Sequence, residues 1–146
     1  MQHLLYCAWI RYACVALFLF AAGCGGVTLR VNIVVEPEAN TNSPVVMSAV
    51  FVHSKPMLGK LQEMTAAQWF GKREQLLRDF PRDVEELYWE FVPGQQVPRV
   101  EKSLRRTPLL GLLFANYRSP GAHRYLFDPK RAQEWICGLR EIKLPQ

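Results

Sequence analysis

Residues 27–36 read Val-Thr-Leu-Arg-Val-Asn-Ile-Val-Val-Glu. Val27, Leu29, Val31, Ile33 and Val35 point one way, and Thr28, Arg30, Asn32 and Glu36 mostly the other. A period of two predicts a strand with one buried face. Residues 37–44 form a polar loop with a proline at each end. Val45 to His53 is apolar on both faces except at Ser48, which predicts a strand in the middle of its sheet. Ser54 to Gly59 turns the chain into a helical stretch. Thr65 fits an N-cap, and Gln68 three residues on completes a capping box. Trp69, Phe70, Leu76, Leu77 and Phe80 share one helical face, with Lys72, Gln75 and Asp79 opposite, and Pro81 ends the element.

Alternation returns at Val84–Val92, with Leu87, Trp89 and Phe91 inward and Glu86, Tyr88 and Glu90 toward solvent. Pro93-Gly94 is a turn. Val97–Leu104 predicts an edge strand, because Pro98 has no N–H for a ladder and charges follow it. Leu109–Tyr117 is the most apolar strand and is expected at the centre of a sheet. Arg124–Phe127 is a short strand, Asp128-Pro129 opens a helical turn to about Glu134, and Trp135–Leu144 is the last strand. The predicted fold is mainly β: a sandwich of about seven strands with a helical insertion, Met57 to Phe80, after the second.

The N-terminus is of another kind. Arg11 precedes the apolar run 12–22, and Ala21-Ala22-Gly23 leads into Cys24. The run is shorter than the roughly 20 residues of a membrane-spanning helix. A positive start, an apolar run and small residues at a cut are the layout of a signal peptide. Small residues immediately before a cysteine read as a bacterial lipoprotein processing site. The expected organisation is a signal peptide over 1–23, a lipidated linker over 24–26 and a periplasmic sandwich over 27–146. Cys24 is then the acylated first residue, and its acyl chains supply membrane affinity at about 0.8 kcal/mol per buried methylene. Gly25, in place of Asp, directs the expectation to the outer membrane, with the domain facing the periplasm.

Composition narrows the function. Without residues 1–23 the 146-residue chain retains 123, enough for one domain with a real core. Its positive excess is scattered. Arg105-Arg106 is the only pair of adjacent arginines and no basic stretch is interleaved with aromatics, which argues against nucleic acid as a partner. Cys137 is the one cysteine beyond Cys24, and its apolar setting predicts a buried, inert thiol.

The usual catalytic constellations are missing. His53 and His123 are the only histidines after the leader, and the sequence has no HExxH, CxxC, GxSxG or glycine-rich phosphate loop. Ser119-Pro120-Gly121 before His123 reads as a turn. The chain is expected to be neither an enzyme nor a metal protein, with no small-molecule substrate and no cofactor beyond the acyl chains on Cys24.

The order of features nonetheless resembles a known family. A lipobox cysteine leads to a strand, then to the Asn-containing loop Glu38-Ala-Asn-Thr-Asn-Ser-Pro44. A Val-Val-x-Ser-Ala-Val-Phe-Val strand follows, then a mostly helical insertion, a strand reaching Pro93-Gly94, and Leu112-Leu-Phe-Ala-Asn-Tyr-Arg118. This layout over 24–144 is similar to TssJ, the outer-membrane lipoprotein of the type VI secretion system. The resemblance implies a transthyretin-like β-sandwich with helical additions and a role without catalysis. It implies that the domain holds the periplasmic part of an inner-membrane TssM-like protein and tethers it to the outer membrane. It also implies that the loop between the first two strands makes the contact, here through Glu38, Asn40, Thr41 and Asn42. Trp69-Phe70 and the run Trp89–Gly94 depart from the family pattern. They point to a divergent branch or to a lipoprotein of a neighbouring machine, above all a pilotin, which would hold a secretin's C-terminal helix in an apolar groove.

Overall fold

A computed structural model describes residues 26–144. The proposed leader, Cys24 and Gly25 lie outside the described residues. Eight strands form two four-stranded sheets. They are β1 (Thr28–Val35), β2 (Val45–Val52), β3 (Val84–Phe91), β4 (Val100–Ser103), β5 (Leu110–Asn116), β6 (Arg124–Phe127), β7 (Gln133–Cys137) and β8 (Ile142–Lys143). The first sheet has the order β4-β1-β7-β8 and the second β3-β2-β5-β6. β1 and β7 are parallel, with Val31 opposite Gln133 and Val35 opposite Cys137; the other pairs are antiparallel. Two helices, α1 (Lys55–Gln62) and α2 (Ala66–Asp79), cover the outer face of the second sheet.

This arrangement is a sandwich with a third, helical layer, and it explains the patterns along the chain. β1 alternates because only one of its faces is covered. β2 and β5 are apolar on both faces because each lies between two cores. Met47, Ala49, Phe51, Leu113 and Ala115 face the first sheet, where they meet Leu29, Val31, Ile33 and Trp135. Val50, Val52, Leu112 and Phe114 face the helices, where they meet Leu61, Trp69 and Leu76. Both cores are complete between Leu29 and Ile142, so the domain holds its own folding unit.

The predicted cap is present: the Gln68 backbone N–H donates to the Thr65 hydroxyl, and the Thr65 N–H to the Gln68 side chain. Gly111 has a steric cause. The Phe127 ring lies across it, and a Cβ there would fall 2.3 Å from Phe127 Cζ.

Five expectations change. The turn expected over Ser54–Gly59 is instead α1, which begins at Lys55 behind Ser54 as N-cap, with Pro56 in its first turn. The strand predicted from Val97 starts only at Val100. The last strand is two, β7 and β8, separated by a turn in which the Gly138 N–H donates to the Glu141 carbonyl at 3.0 Å. The helical turn expected to reach Glu134 stops earlier, since Gln133 and Glu134 already pair with β1. Glu86 does not face solvent. Alternation assigned it correctly to the outer face of its sheet, but α2 covers that face. Arg73 donates to both Glu86 carboxylate oxygens, at 2.9 and 2.7 Å, and Ser48 Oγ donates to Oε1 at 2.5 Å. Trp69 Nε1 in turn donates to Ser48 Oγ at 2.9 Å. The lone polar residue of β2 therefore anchors the helix that covers it.

Candidate docking surface

β1 and β2 belong to different sheets, so the loop 36–44 must cross from one to the other at the end of the sandwich. It crosses in a left-handed turn. Asn40, Thr41 and Asn42 have φ of 48°, 55° and 57°. Left-handed backbone costs roughly 1–2 kcal/mol per residue outside glycine, and asparagine tolerates it better than a β-branched residue such as threonine. Three such residues in a row persist only if the surroundings impose them.

They do so from two other loops. The Asn40 and Thr41 N–H groups donate to the Gly138 and Leu139 carbonyls, both at 3.1 Å, and Glu36 N–H donates to the Cys137 carbonyl at 3.0 Å. Asn40 is 3% exposed. Its Nδ2 donates to the Pro44 carbonyl at 2.8 Å and, more weakly, to the Asn116 carbonyl at 3.4 Å, while its Oδ1 accepts the Arg118 N–H at 2.8 Å. The Tyr117-Arg118 pair that follows β5 is thus where the turn is bolted to the second sheet. Gly94, at φ 73°, donates its N–H to the Glu36 carbonyl and brings the 92–95 turn alongside.

The four residues singled out in this loop separate into two groups. Glu38, Thr41 and Asn42 are exposed. Asn40 is buried, and its amide is satisfied inside the chain. Sequence reasoning missed Leu139, 41% exposed and directly under Thr41, and Val92, 56% exposed on the adjoining turn. An apolar residue within a short turn, as in Gly138-Leu139-Arg140, was the available signal for the first.

The other candidate groups have structural roles. Ser119 Oγ donates to the Arg140 carbonyl, and His123 Nε2 lies 2.7 Å from the Ser119 carbonyl, so this pair closes its own turn. Cys137 is buried with its Sγ 3.3 Å from Met47 Sδ, and burial pushes its thiol up to about 12. Burial likewise raises the Tyr117 phenol. Among the described residues no cluster of His, Cys, Asp and Glu could hold a metal ion, and no helix is long and apolar enough to cross a membrane. An apolar recess of about 450 Å³ between α1 and Phe80 is lined by Pro56, Met57, Lys60 and Phe80.

No protein-family model and no curated protein sequence matches the chain. Solved structures do. The type VI secretion lipoprotein TssJ1 of Pseudomonas aeruginosa superimposes with a TM-score of 0.61 at 16% identity, over 82% of this chain and 95% of that one. Lip of Serratia marcescens, a membrane-bound component of the type VI secretion system, gives 0.61 at 9% identity, over 83% and 97%. A chain of a type VI membrane complex gives 0.61 at 16% identity, over 82% and 98%. The chain has the fold of these lipoproteins. The likeness spans the whole sandwich and nearly the full length of each neighbour, and it agrees with the fold that the order of sequence features implied.

Proposed function

We propose that this protein is a lipid-anchored docking component of a type VI secretion membrane complex. In this reading Cys24 carries the acyl chains, the domain stands in the periplasm against the outer membrane, and its partner is the periplasmic part of a TssM-like inner-membrane protein. One observation carries the proposal. A strained, polar, left-handed turn is held rigid at the end of the sandwich farthest from the point where the chain enters. β1 has eight residues and rises about 3.3 Å per residue, so the turn stands roughly 25 Å from Gly26. A tether at one end and a rigid polar projection at the other suit a protein that holds a membrane at its back and a partner at its front. The fold likeness to type VI lipoproteins supports the same role.

Glu38, Thr41 and Asn42 are the contact residues in this account, with Leu139 and Val92 as apolar neighbours. Asn40 is a positioning residue that keeps the turn in its left-handed form. Ordering the loop before binding lowers the entropy cost of association. The role requires no catalysis.

The test is capture from envelope extracts by residues 26–146 bearing an affinity tag. The proposal expects recovery of an inner-membrane protein with a large periplasmic domain. Recovery of a secretin whose C-terminal helix suffices for binding would overturn it in favour of a pilotin, with the recess beside Phe80 as the groove.

A further inference from the structure

The opposite end of the sandwich, where the chain enters, has its own feature. Gly26 lies against the Leu104 carbonyl, the Leu104 N–H donates to the Val27 carbonyl at 2.9 Å, and Thr28 pairs with Ser103. Arg105 and Arg106 follow directly. They line a cavity of about 200 Å³ with Arg82, His53 and Glu85. That volume is several times the share of one water molecule, about 30 Å³. Arg106 donates to the Arg82 carbonyl, which fixes the two strands' ends together at the rim.

The charge in this cavity is unbalanced. Glu85 is buried and has Arg105 Nε at 3.6 Å and His53 Nε2 at 3.8 Å; it also accepts the Arg105 N–H at 3.2 Å. Arg82 and Arg106 have no acidic partner within 4 Å among the described residues. The His53 side chain is 5% exposed, and its Nδ1 is buried with no hydrogen-bond partner. A buried, unsatisfied polar atom beside two unpaired guanidinium groups is a site waiting for an anion with several oxygens. Its position names the source. The apolar run 12–22 and Cys24 reach this end within a few residues of Gly26, and extended chain spans at most about 3.6 Å per residue. Any membrane that holds the leader or its acylated cysteine therefore lies against this cavity.

We propose that the pocket formed by Arg82, Arg105, Arg106 and His53 binds the phosphate group of an anionic lipid headgroup and seats the domain upright on its membrane. Arg82 and Arg106 grip the phosphate oxygens, His53 Nδ1 takes a further bond, and Arg105, exposed at the rim, is held by Glu85. The turn at the far end is thereby aimed away from the bilayer. The proposal stands on the placement of this pocket beside Gly26. It rests on the reading that the leader or Cys24 holds a membrane and is independent of the partner-docking role, and headgroup binding is tested on the domain without its leader.

The experiment is co-sedimentation of residues 26–146 with vesicles of phosphatidylcholine, alone or with about one-third phosphatidylglycerol. Binding is expected only with the anionic lipid. Arg82→Gln, whose side chain makes no bond within the domain, should weaken it about fivefold, and Arg82→Gln with Arg106→Gln about 25-fold. Arg118→Gln with Arg140→Gln, an equal loss of charge at the opposite end, should leave it within about twofold, and melting curves identify any variant that fails to fold. Equal binding to both vesicles, an equal loss in the far-end pair, or a shift of the His53 ring resonances by inorganic phosphate without vesicle binding would each overturn the proposal.

Discussion

Asn40→Ala removes the side chain that bolts the left-handed turn to the second sheet. Three bonds go with it: those to the Pro44 carbonyl and the Arg118 N–H, both 2.8 Å, and the weaker one to Asn116 at 3.4 Å. The site is buried, so water replaces the lost partners poorly. About 1 kcal/mol for each of the two short bonds is a conservative value. Alanine also has no polar side chain to favour φ of 48°, which adds about 1 kcal/mol. The expected loss is therefore about 3 kcal/mol. That is a large part of a typical total of about 5–15 kcal/mol, and for a domain of this size it lowers Tm by roughly 12 °C. Asn40→Gly loses the same bonds without the backbone penalty and should cost about 1 kcal/mol less. Asn40→Asp keeps the acceptor for Arg118 but turns an oxygen toward two carbonyls, so it should be no better than alanine. Urea unfolding followed by circular dichroism measures all three. Alanine within about 0.5 kcal/mol of the parent, or glycine no better than alanine, would refute the reasoning.

Other outcomes follow from the same structure. Cys24→Ala should abolish incorporation of a clickable palmitate analogue and release the protein from the outer membrane; undiminished labelling would remove the anchor from the account. Burial, reinforced by Arg106, holds the His53 imidazole below its ordinary value of 6.5. The folded form takes up its proton less readily than the unfolded chain, so the His53 contribution is fully present above about pH 6.5 and is lost as pH falls below it. In His53→Gln that part of the acid slope should vanish from unfolding curves collected between pH 7 and 5. Ser48→Ala leaves Trp69 Nε1 without its acceptor and takes one of the two donors from Glu86 Oε1, which keeps Arg73 Nε; it should cost about 1–3 kcal/mol in chemical denaturation.

Most of the sandwich was legible because its signals are local. The period of two in β1, the doubly apolar β2 and β5, and the Thr65–Gln68 cap are each written within a few residues. The turn at 138–141 escaped because Cys137-Gly138-Leu139 continues the apolar reading of β7, and a backbone bond rather than a proline ends the strand. Glu86 was assigned to the right face, but the cover over that face is the helix bearing Arg73, which no pattern within β3 reveals. The loop between β1 and β2 was placed correctly between Pro37 and Pro44, whereas its handedness was not legible. That handedness is imposed by Asn116, Arg118, Gly138 and Leu139, which lie some 75 to 100 residues along the chain. The same contacts divide Asn40, which holds the turn, from Glu38, Thr41 and Asn42, which the turn presents. The arginine cavity left no local signature either. Arg82, Arg105 and Arg106 read as scattered charge until the ends of β2, β3 and β4 bring them together.

The central claim is that this turn docks a TssM-like partner. Calorimetric titration of residues 26–146 with the periplasmic domain of such a protein tests it most directly. Changing Glu38, Thr41 and Asn42 together to alanine should weaken binding at least about tenfold, the loss of one hot spot of about 1.4 kcal/mol or more, while Tm stays within a few degrees of the parent. Undiminished affinity in that variant would contradict the account.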